Sequence, residues 1–370
     1  MKTFMSIILV LHGLIHLMGF IKAFKIANID QLNMPISKKA GILWLIAALL
    51  FLLAFALMLC SYDAWWIFGT LAIILSQALV FRYWSDAKFG TIANLIILVP
   101  VIITALEFLP TSFINRYKTE VNSRLTPIHD PSLLMEEEIA HLPGLIKKYL
   151  HYTGAVGKPK VHNVRAVFTG SMKQKPDGKW MEISSQQYNF FDDPARLFYV
   201  RGSMFGVPFD GFHQFTGDHA IMLIRVANLF TVADARGDKM DQGETVTMFN
   251  DMCLLAPATL IDSNIAWEEI NDTMVEAIFT NRNHTIAATL HFNASGGLIN
   301  FVSQDRFMSS DGKEYLNYPW STPVKSYKEM DGRRVPSYGE AVWQTPEGPF
   351  CYGKFNIGEI EYNLSEFLTR

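Results

Sequence analysis

Cysteine is scarce in this sequence: Cys60, Cys253 and Cys351 are the three in 370 residues. None stands in a CxxC pair, so a zinc ribbon or a thioredoxin-type site is excluded. Cys60 lies in an apolar run, which leaves Cys253 and Cys351 as two buried thiols. A disulfide between them is the alternative, and it requires an oxidising compartment. Basic excess is also missing, since the net charge is −3. Nucleic-acid binding, which needs a basic face to neutralise phosphates, has no support. There is no GxSxG elbow, HExxH helix, P-loop or dinucleotide fingerprint, so no cofactor is expected. The eight histidines from residue 129 onward show no metal-ligand spacing, and no metal is expected either.

Long apolar runs are abundant, and they are confined to the first third of the chain. Residues 1–109 hold seven Lys/Arg and four Asp/Glu, and the remainder carries 25 and 31. Four runs, near Phe4–Ile21, Gly41–Cys60, Ala64–Phe81 and Thr91–Leu109, approach the ~20 residues that span ~30 Å of hydrocarbon. The backbone in lipid must satisfy its own hydrogen bonds, so each is predicted to be a helix. Lys22, Lys25, Lys38, Lys39, Arg82 and Lys88 fall in the loops after spans 1 and 3. Lys2, Arg116, Lys118 and Arg124 fall on the other side. Six against four predicts cytoplasmic loops 1 and 3, with the following domain outside the cytoplasm.

Polar residues inside such spans are costly. His12 and His16 share one face of the first helix at i, i+4. Counting from the helix ends places His16, Gln77 and Asn94 at one depth, so a buried polar cluster is predicted, with His12 one turn nearer the midplane. Hydrogen bonds that join the helices are the plain role, and a ligand, quinone or proton site is the sharper one. Haem or a structural metal comes last, because no second helix supplies a histidine.

Residues 115–131 are polar, contain Pro127 and Pro131, and read as a linker. An amphipathic pattern covers 132–152, started by Pro131-Ser132, divided by Pro143 and ended by Gly154. From Lys160 onward the period becomes two. Asp177-Gly178, Gly217-Asp218 and Asp331-Gly332 mark turns between ten or eleven strands. One helix, over 245–260, interrupts them. The fold class is therefore a four-span membrane helical bundle (1–110), a linker with an amphipathic helix (111–158) and an α+β domain (159–370). That domain is an antiparallel meander, curved or half-barrel, with one internal helix.

The segments His-Gly-Leu-Ile-His-Leu-Met-Gly-Phe (12–20), Gln-Tyr-Asn-Phe-Phe (187–191) and Met-Phe-Gly-Val-Pro (204–208) are specific signatures. So are Asp-Gln-Gly-Glu-Thr-Val-Thr-Met-Phe-Asn-Asp-Met-Cys-Leu-Leu-Ala-Pro (241–257) and Pro-Trp-Ser-Thr-Pro-Val (319–324). With them the chain resembles a family of uncharacterised bacterial membrane proteins with four N-terminal transmembrane helices and a C-terminal β-rich domain. The resemblance implies no reaction and no catalytic residue. The order of strands and helix is also distantly similar to the periplasmic lipoprotein-carrier fold, a half-barrel that holds acyl chains.

Two sets of residues are candidates for function. Met204, Phe205, Phe209, Met248, Phe249 and Met252 concentrate around the internal helix and suit a greasy pocket for a lipid or other apolar ligand. A plain helix–sheet core uses the same residues. Asp210 and His213, with Asp241 and Glu244, are the weak candidates for an acid/base group. Exposed turns and a helix-start capping box are their bland reading. A membrane-anchored apolar-ligand-binding protein is the first expectation. An envelope enzyme and a structural or assembly protein are the alternatives.

Overall fold

The computed structural model describes residues 2–128, 132–309 and 311–369. Pro131, the expected start of the amphipathic helix, lies outside them. The chain divides into two compact units, Met1–Ser112 and Phe113–Arg370.

The first unit is helical: α1 (Lys2–Ala23), α2 (Lys38–Leu59), α3 (Trp65–Arg82), the short α4 (Trp84–Ala87) and α5 (Gly90–Glu107). Four of these helices are long and apolar enough to cross a membrane. Ser37 caps α2 by accepting the Ala40 N–H at 3.2 Å. Glycines let α1 and α2 approach. A Cβ on Gly41 would lie 2.3 Å from the Ala23 Cβ, and one on Gly19 would strike the Trp44 indole. The Asp86 carboxylate, in α4, accepts the Asn33 and Met34 N–H groups at 2.6 and 2.7 Å. That clasp puts the α1–α2 and α3–α5 connections at the same end of this unit.

The second unit begins with α6 (Phe113–Asn122), a helix where the polar sequence suggested only linker. Its buried Phe113, Tyr117 and Val121 recur at helical spacing, diluted in the sequence by charged neighbours. Next come α7 (Glu136–Ile139) and α8 (Gly144–Thr153), separated at Pro143, with Gly154 in the left-handed conformation closing α8. Strands β1 (Asn163–Met172), β2 (Met181–Phe190), β3 (Ala195–Met204), β4 (Val207–Thr216), β5 (His219–Val226) and β6 (Phe230–Arg236) form a meander. Helix α9 (Asp238–Leu255) and a 3-10 turn (Pro257–Ile261) interrupt it. The strands resume as β7 (Ile265–Asn271), β8 (Met274–Asn281), β9 (His284–Phe292) and β10 (Leu298–Ser303). Two short pieces, β11 (Phe307–Met308) and β12 (Leu316–Asn317), pair apart from the main sheet. The last are β13 (Trp320–Ser321), β14 (Val324–Met330), β15 (Arg333–Thr345) and β16 (Gly348–Tyr362).

Fourteen strands make one antiparallel sheet, in the order β6-β5-β4-β3-β2-β1-β16-β15-β13-β10-β9-β8-β7, with β14 beside β15. The first and last strands are therefore central neighbours, with Val164 opposite Tyr362. Sequential hairpins alone do not describe this order. Helix α9 contacts β5 and β6 near one edge, β15 in the middle, and β9 and β10 near the other edge. A flat sheet of that width cannot touch one helix at both ends, so the sheet curves around α9. Bulges at Val167/Phe168 and Ala341/Val342 supply part of the bend. Strand alternation then divides two faces. Tyr188, Leu197, Tyr199 and Phe212 pack with α6 on the convex face. The large core lies on the other side, among α8, α9 and strands β7–β10, β15 and β16.

Candidate functional site

Helix α9 is buried nearly all round, and its two sides differ in chemistry. Val246, Phe249, Met252 and Cys253 enter the main core, where the Phe249 ring stacks on Phe279 with centroids 5.1 Å apart. Met240, Glu244, Thr247, Asn250, Asp251 and Leu254 follow the 3.6 period on the opposite side and line a cavity of about 990 Å³. Its remaining walls are apolar and aromatic, including Phe198 and Val200 (β3), Met222 (β5), Trp320 (β13), Trp343 (β15) and Phe355 (β16).

A charged cluster forms one end of this cavity. Arg196, from β3, donates from Nε to Asp251 Oδ2 at 2.7 Å, from Nη1 to Glu244 Oε2 at 3.0 Å and from Nη2 to Gln187 Oε1 at 2.9 Å. Gln187 and Asn189 point to this side because their β2 neighbours Tyr188 and Phe190 point to the other, and both donate to Asp251 Oδ2. His213 Nδ1 and Arg306 Nη2 each stand 3.9 Å from Glu244 Oε1. Burial opposes ionisation of Glu244, but Arg196, His213 and Arg306 overcome it and bring its pKa down to about 2. Asp251 is pushed up by burial, which Arg196 and Asn189 offset only in part. Burial likewise lowers the His213 pKa against the pull of Glu244, which favours a neutral imidazole. Arg306 donates to the Tyr352 hydroxyl at 2.9 Å and lies over the Trp320 ring at 4.3 Å.

The acid/base candidates are only half gathered. His213 and Glu244 meet in the cavity. Asp210, three residues from His213 on β4, projects to the convex face, where Tyr199 and Arg201 donate to it at 2.9 and 3.1 Å. Asp241 turns away from the cavity and accepts the Ala220 N–H at 2.6 Å. It does not cap the helix, because α9 starts at Asp238 after Gly237, seven residues ahead of the expected Thr245. Glu244 is accordingly an interior helical residue, and the capping-box reading fails.

Of the apolar candidates, Met204 and Phe209 line the cavity. Phe205 does not, sitting at the β3–β4 turn with positive φ and 85% exposed. Met248 packs with Phe215 and Ala220, and Phe249 and Met252 are core. Period alone could not tell which side of α9 faces the void. The polar wall and the Arg306–Trp320–Tyr352 corner escaped the sequence reading. Trp320 stands inside the quoted 319–324 segment, and Gln187 and Asn189 inside 187–191, so their residue types were visible without their roles. Cys253 is buried and Cys351 half-buried, and both are free thiols. Among the described residues no group of three or more His, Cys, Asp or Glu is placed to hold a metal ion.

The helical unit has its own polar network. His12 Nε2 lies 2.9 Å from Asn94 Oδ1, and His16 Nε2 lies 2.9 Å from Ser76 Oγ. Ser76 donates to Asn94 Oδ1 at 3.0 Å, and Asn94 Nδ2 donates to Gln77 Oε1 at 3.0 Å. Both histidines are buried and turned away from the bundle surface. Ser76 is the member that the sequence reading missed.

Comparison with solved structures finds distant likenesses. A putative outer membrane lipoprotein-sorting protein domain from Vibrio parahaemolyticus is 11% identical, covers 54% of this chain and 85% of its own, and has a TM-score of 0.31. A LolA superfamily protein from Nitrosomonas europaea is 10% identical, with coverage of 61% and 93% and a TM-score of 0.32. A DUF1329 family protein from Desulfovibrio piger is 7% identical, with coverage of 64% and 96% and a TM-score of 0.34. No curated protein matches the chain. The family model that does match is DUF6544, a family of unknown function, over residues 132–355. That interval contains α9 and most of the cavity wall, and the chain belongs to this family.

Proposed function

We propose that this is a membrane-anchored binding protein that holds a lipid or another apolar ligand between α9 and the concave face of its sheet. The observation that carries the reading is the cavity of about 990 Å³ with aromatic and aliphatic walls. It stands at the upper end of the ~300–1,000 Å³ range of small-molecule sites. Each methylene buried there contributes about 0.8 kcal/mol, so a single acyl chain supplies enough for micromolar binding after the cost of association. A structural or assembly role would leave this hollow unexplained.

The enzyme reading has one observation in its favour, the approach of His213 to Glu244. It is the weaker reading, because Glu244 is held ionised by Arg196 and is a poor proton acceptor near neutral pH.

Native mass spectrometry of the full chain, purified in mild detergent, should show a bound apolar molecule of unchanged mass after prolonged incubation. Met222→Trp, which fills the cavity, should reduce its occupancy at least fivefold. An empty wild-type protein that also takes up no added amphiphile overturns the proposal, and a ligand converted on incubation supports the enzyme instead.

A further inference from the structure

We propose that the ligand is an amphiphile whose anionic head, a carboxylate or a phosphate, is received by Arg306 and Tyr352 while its chain follows the apolar walls. The inference rests on the binding function proposed above and specifies its ligand class.

Hydrogen-bond accounting at one corner carries the argument. The Tyr352 hydroxyl accepts from Arg306 Nη1 at 2.9 Å and from Trp320 Nε1 at 3.2 Å. A phenol has one proton to give as well as lone pairs to receive. With two donors pointing at its oxygen, that proton is directed to a third group, and among the described residues the Tyr352 hydroxyl donates to none. The Arg306 guanidinium carries five N–H donors. Among the described residues its side chain makes one hydrogen bond, that to Tyr352, while Glu244 at 3.9 Å is beyond hydrogen-bond reach.

The surroundings magnify what these donors offer. The Arg306 side chain is 16% exposed, lies 4.3 Å from the Trp320 ring centre and 5.5 Å from that of Trp343. A cation flanked by indoles has lost most of its water, and an anionic acceptor restores the bonds that water gave. Glu244 is already bonded to Arg196 at 3.0 Å, and Glu340, also on the cavity lining, is bonded by Lys325 at 2.6 Å. Glu244 therefore shares its charge between Arg196, His213 and Arg306, pairing with Arg306 at 3.9 Å without a hydrogen bond, and the Arg306 N–H donors stay available to a ligand. Lys239, also on the cavity wall, lies over Phe307 and Tyr315, and no carboxylate among the described residues is within ion-pair distance of it. It adds a second positive charge at that side. The planar fork of Arg306 beside a phenol donor matches the two or more oxygens of a carboxylate or phosphate, and an alcohol head would leave most of these donors unmet.

The experiment is a competition on the full chain in detergent, with equimolar palmitate, hexadecyl phosphate and hexadecanol, read as adducts in native mass spectrometry. At least one anion should exceed the alcohol by about tenfold or more, the size of a charge-assisted hydrogen bond in a desolvated site. The ratio between the two anions decides carboxylate or phosphate. Arg306→Met should abolish the preference while retaining chain binding, Arg306→Lys should keep part of it, and Tyr352→Phe should reduce it severalfold. Equal uptake of all three by the wild type overturns the head-group site and leaves the apolar cavity standing. Uptake of none overturns the binding function itself. Since the wild-type comparison needs no substitution, a variant that fails to fold does not decide the outcome.

Discussion

Arg196 is the residue on which most of the buried charge depends. It bonds Glu244 and Asp251 together, and removing one partner of such a group strands the others away from water. Arg196→Met is therefore expected to cost about 3–5 kcal/mol in denaturant unfolding of the detergent-solubilised chain, and a loss under ~1 kcal/mol would contradict this role. Glu244 gives a pH signature of definite sign. Its pKa in the folded protein, about 2, lies below the ordinary 4.5, so the unfolded chain takes up the proton first. The stabilisation is present above pH ~4.5 and drains away as the pH falls toward 2, on the order of 3 kcal/mol in all. Glu244→Gln should flatten the unfolding midpoint over that window, while a curve as steep as the wild type's would show that other groups set the acid limb. In the helical unit the stakes are smaller. His16→Leu removes a bond to Ser76 between helices and should cost about 1 kcal/mol or less. A larger loss would mean that the network does more than join helices.

At the scale of elements, α9 behaves as two surfaces back to back. Phe249→Ala is expected to destabilise by about 3–5 kcal/mol, because the ring is fully buried against Phe279 and Phe301. Ligand uptake by the protein that remains folded should not change, which a thermal melt and a binding assay on the same sample will separate. The four long apolar helices were legible because runs of about twenty apolar residues stand out along the chain, and hairpin turns because Asp-Gly and Gly-Asp pairs act locally. The start and orientation of α9 were not. Its first turns, with Asp238, Asp241 and Glu244, look like a solvated helix end, and what buries Asp241 and Glu244 is the sheet curling past on both sides. The partner that satisfies Glu244 lies 48 residues away, and the one for Asp251 lies 55 residues away. No pattern along the chain announces such pairs. The alternation of β2 was readable as strand, yet Gln187 and Asn189 facing inward reversed the usual rule that the polar side faces water.

For the whole molecule, the concentration of basic residues in the α1–α2 and α3–α5 connections supports the proposal that the β-rich unit functions outside the cytoplasm. Alkaline phosphatase fused after Arg370 should be active and a fluorescent protein fused there dark; the opposite pair of results reverses the orientation. The junction of β1 and β16 at the centre of the sheet bears on biogenesis. Arg165 waits for Glu359 and Glu361, 194 and 196 residues further along, before its side chain is paired. At ~5–20 residues per second a ribosome needs about 10–40 s to deliver them. Through that interval β1 presents an unpaired edge of exposed N–H and C=O groups, the kind of template on which chains aggregate. Folding of this unit is thus gated by its last strand. A chain ending at residue 347 should be made and inserted in normal amount, yet be recovered largely aggregated or degraded, and supplying residues 348–370 as a separate peptide during synthesis should rescue part of it.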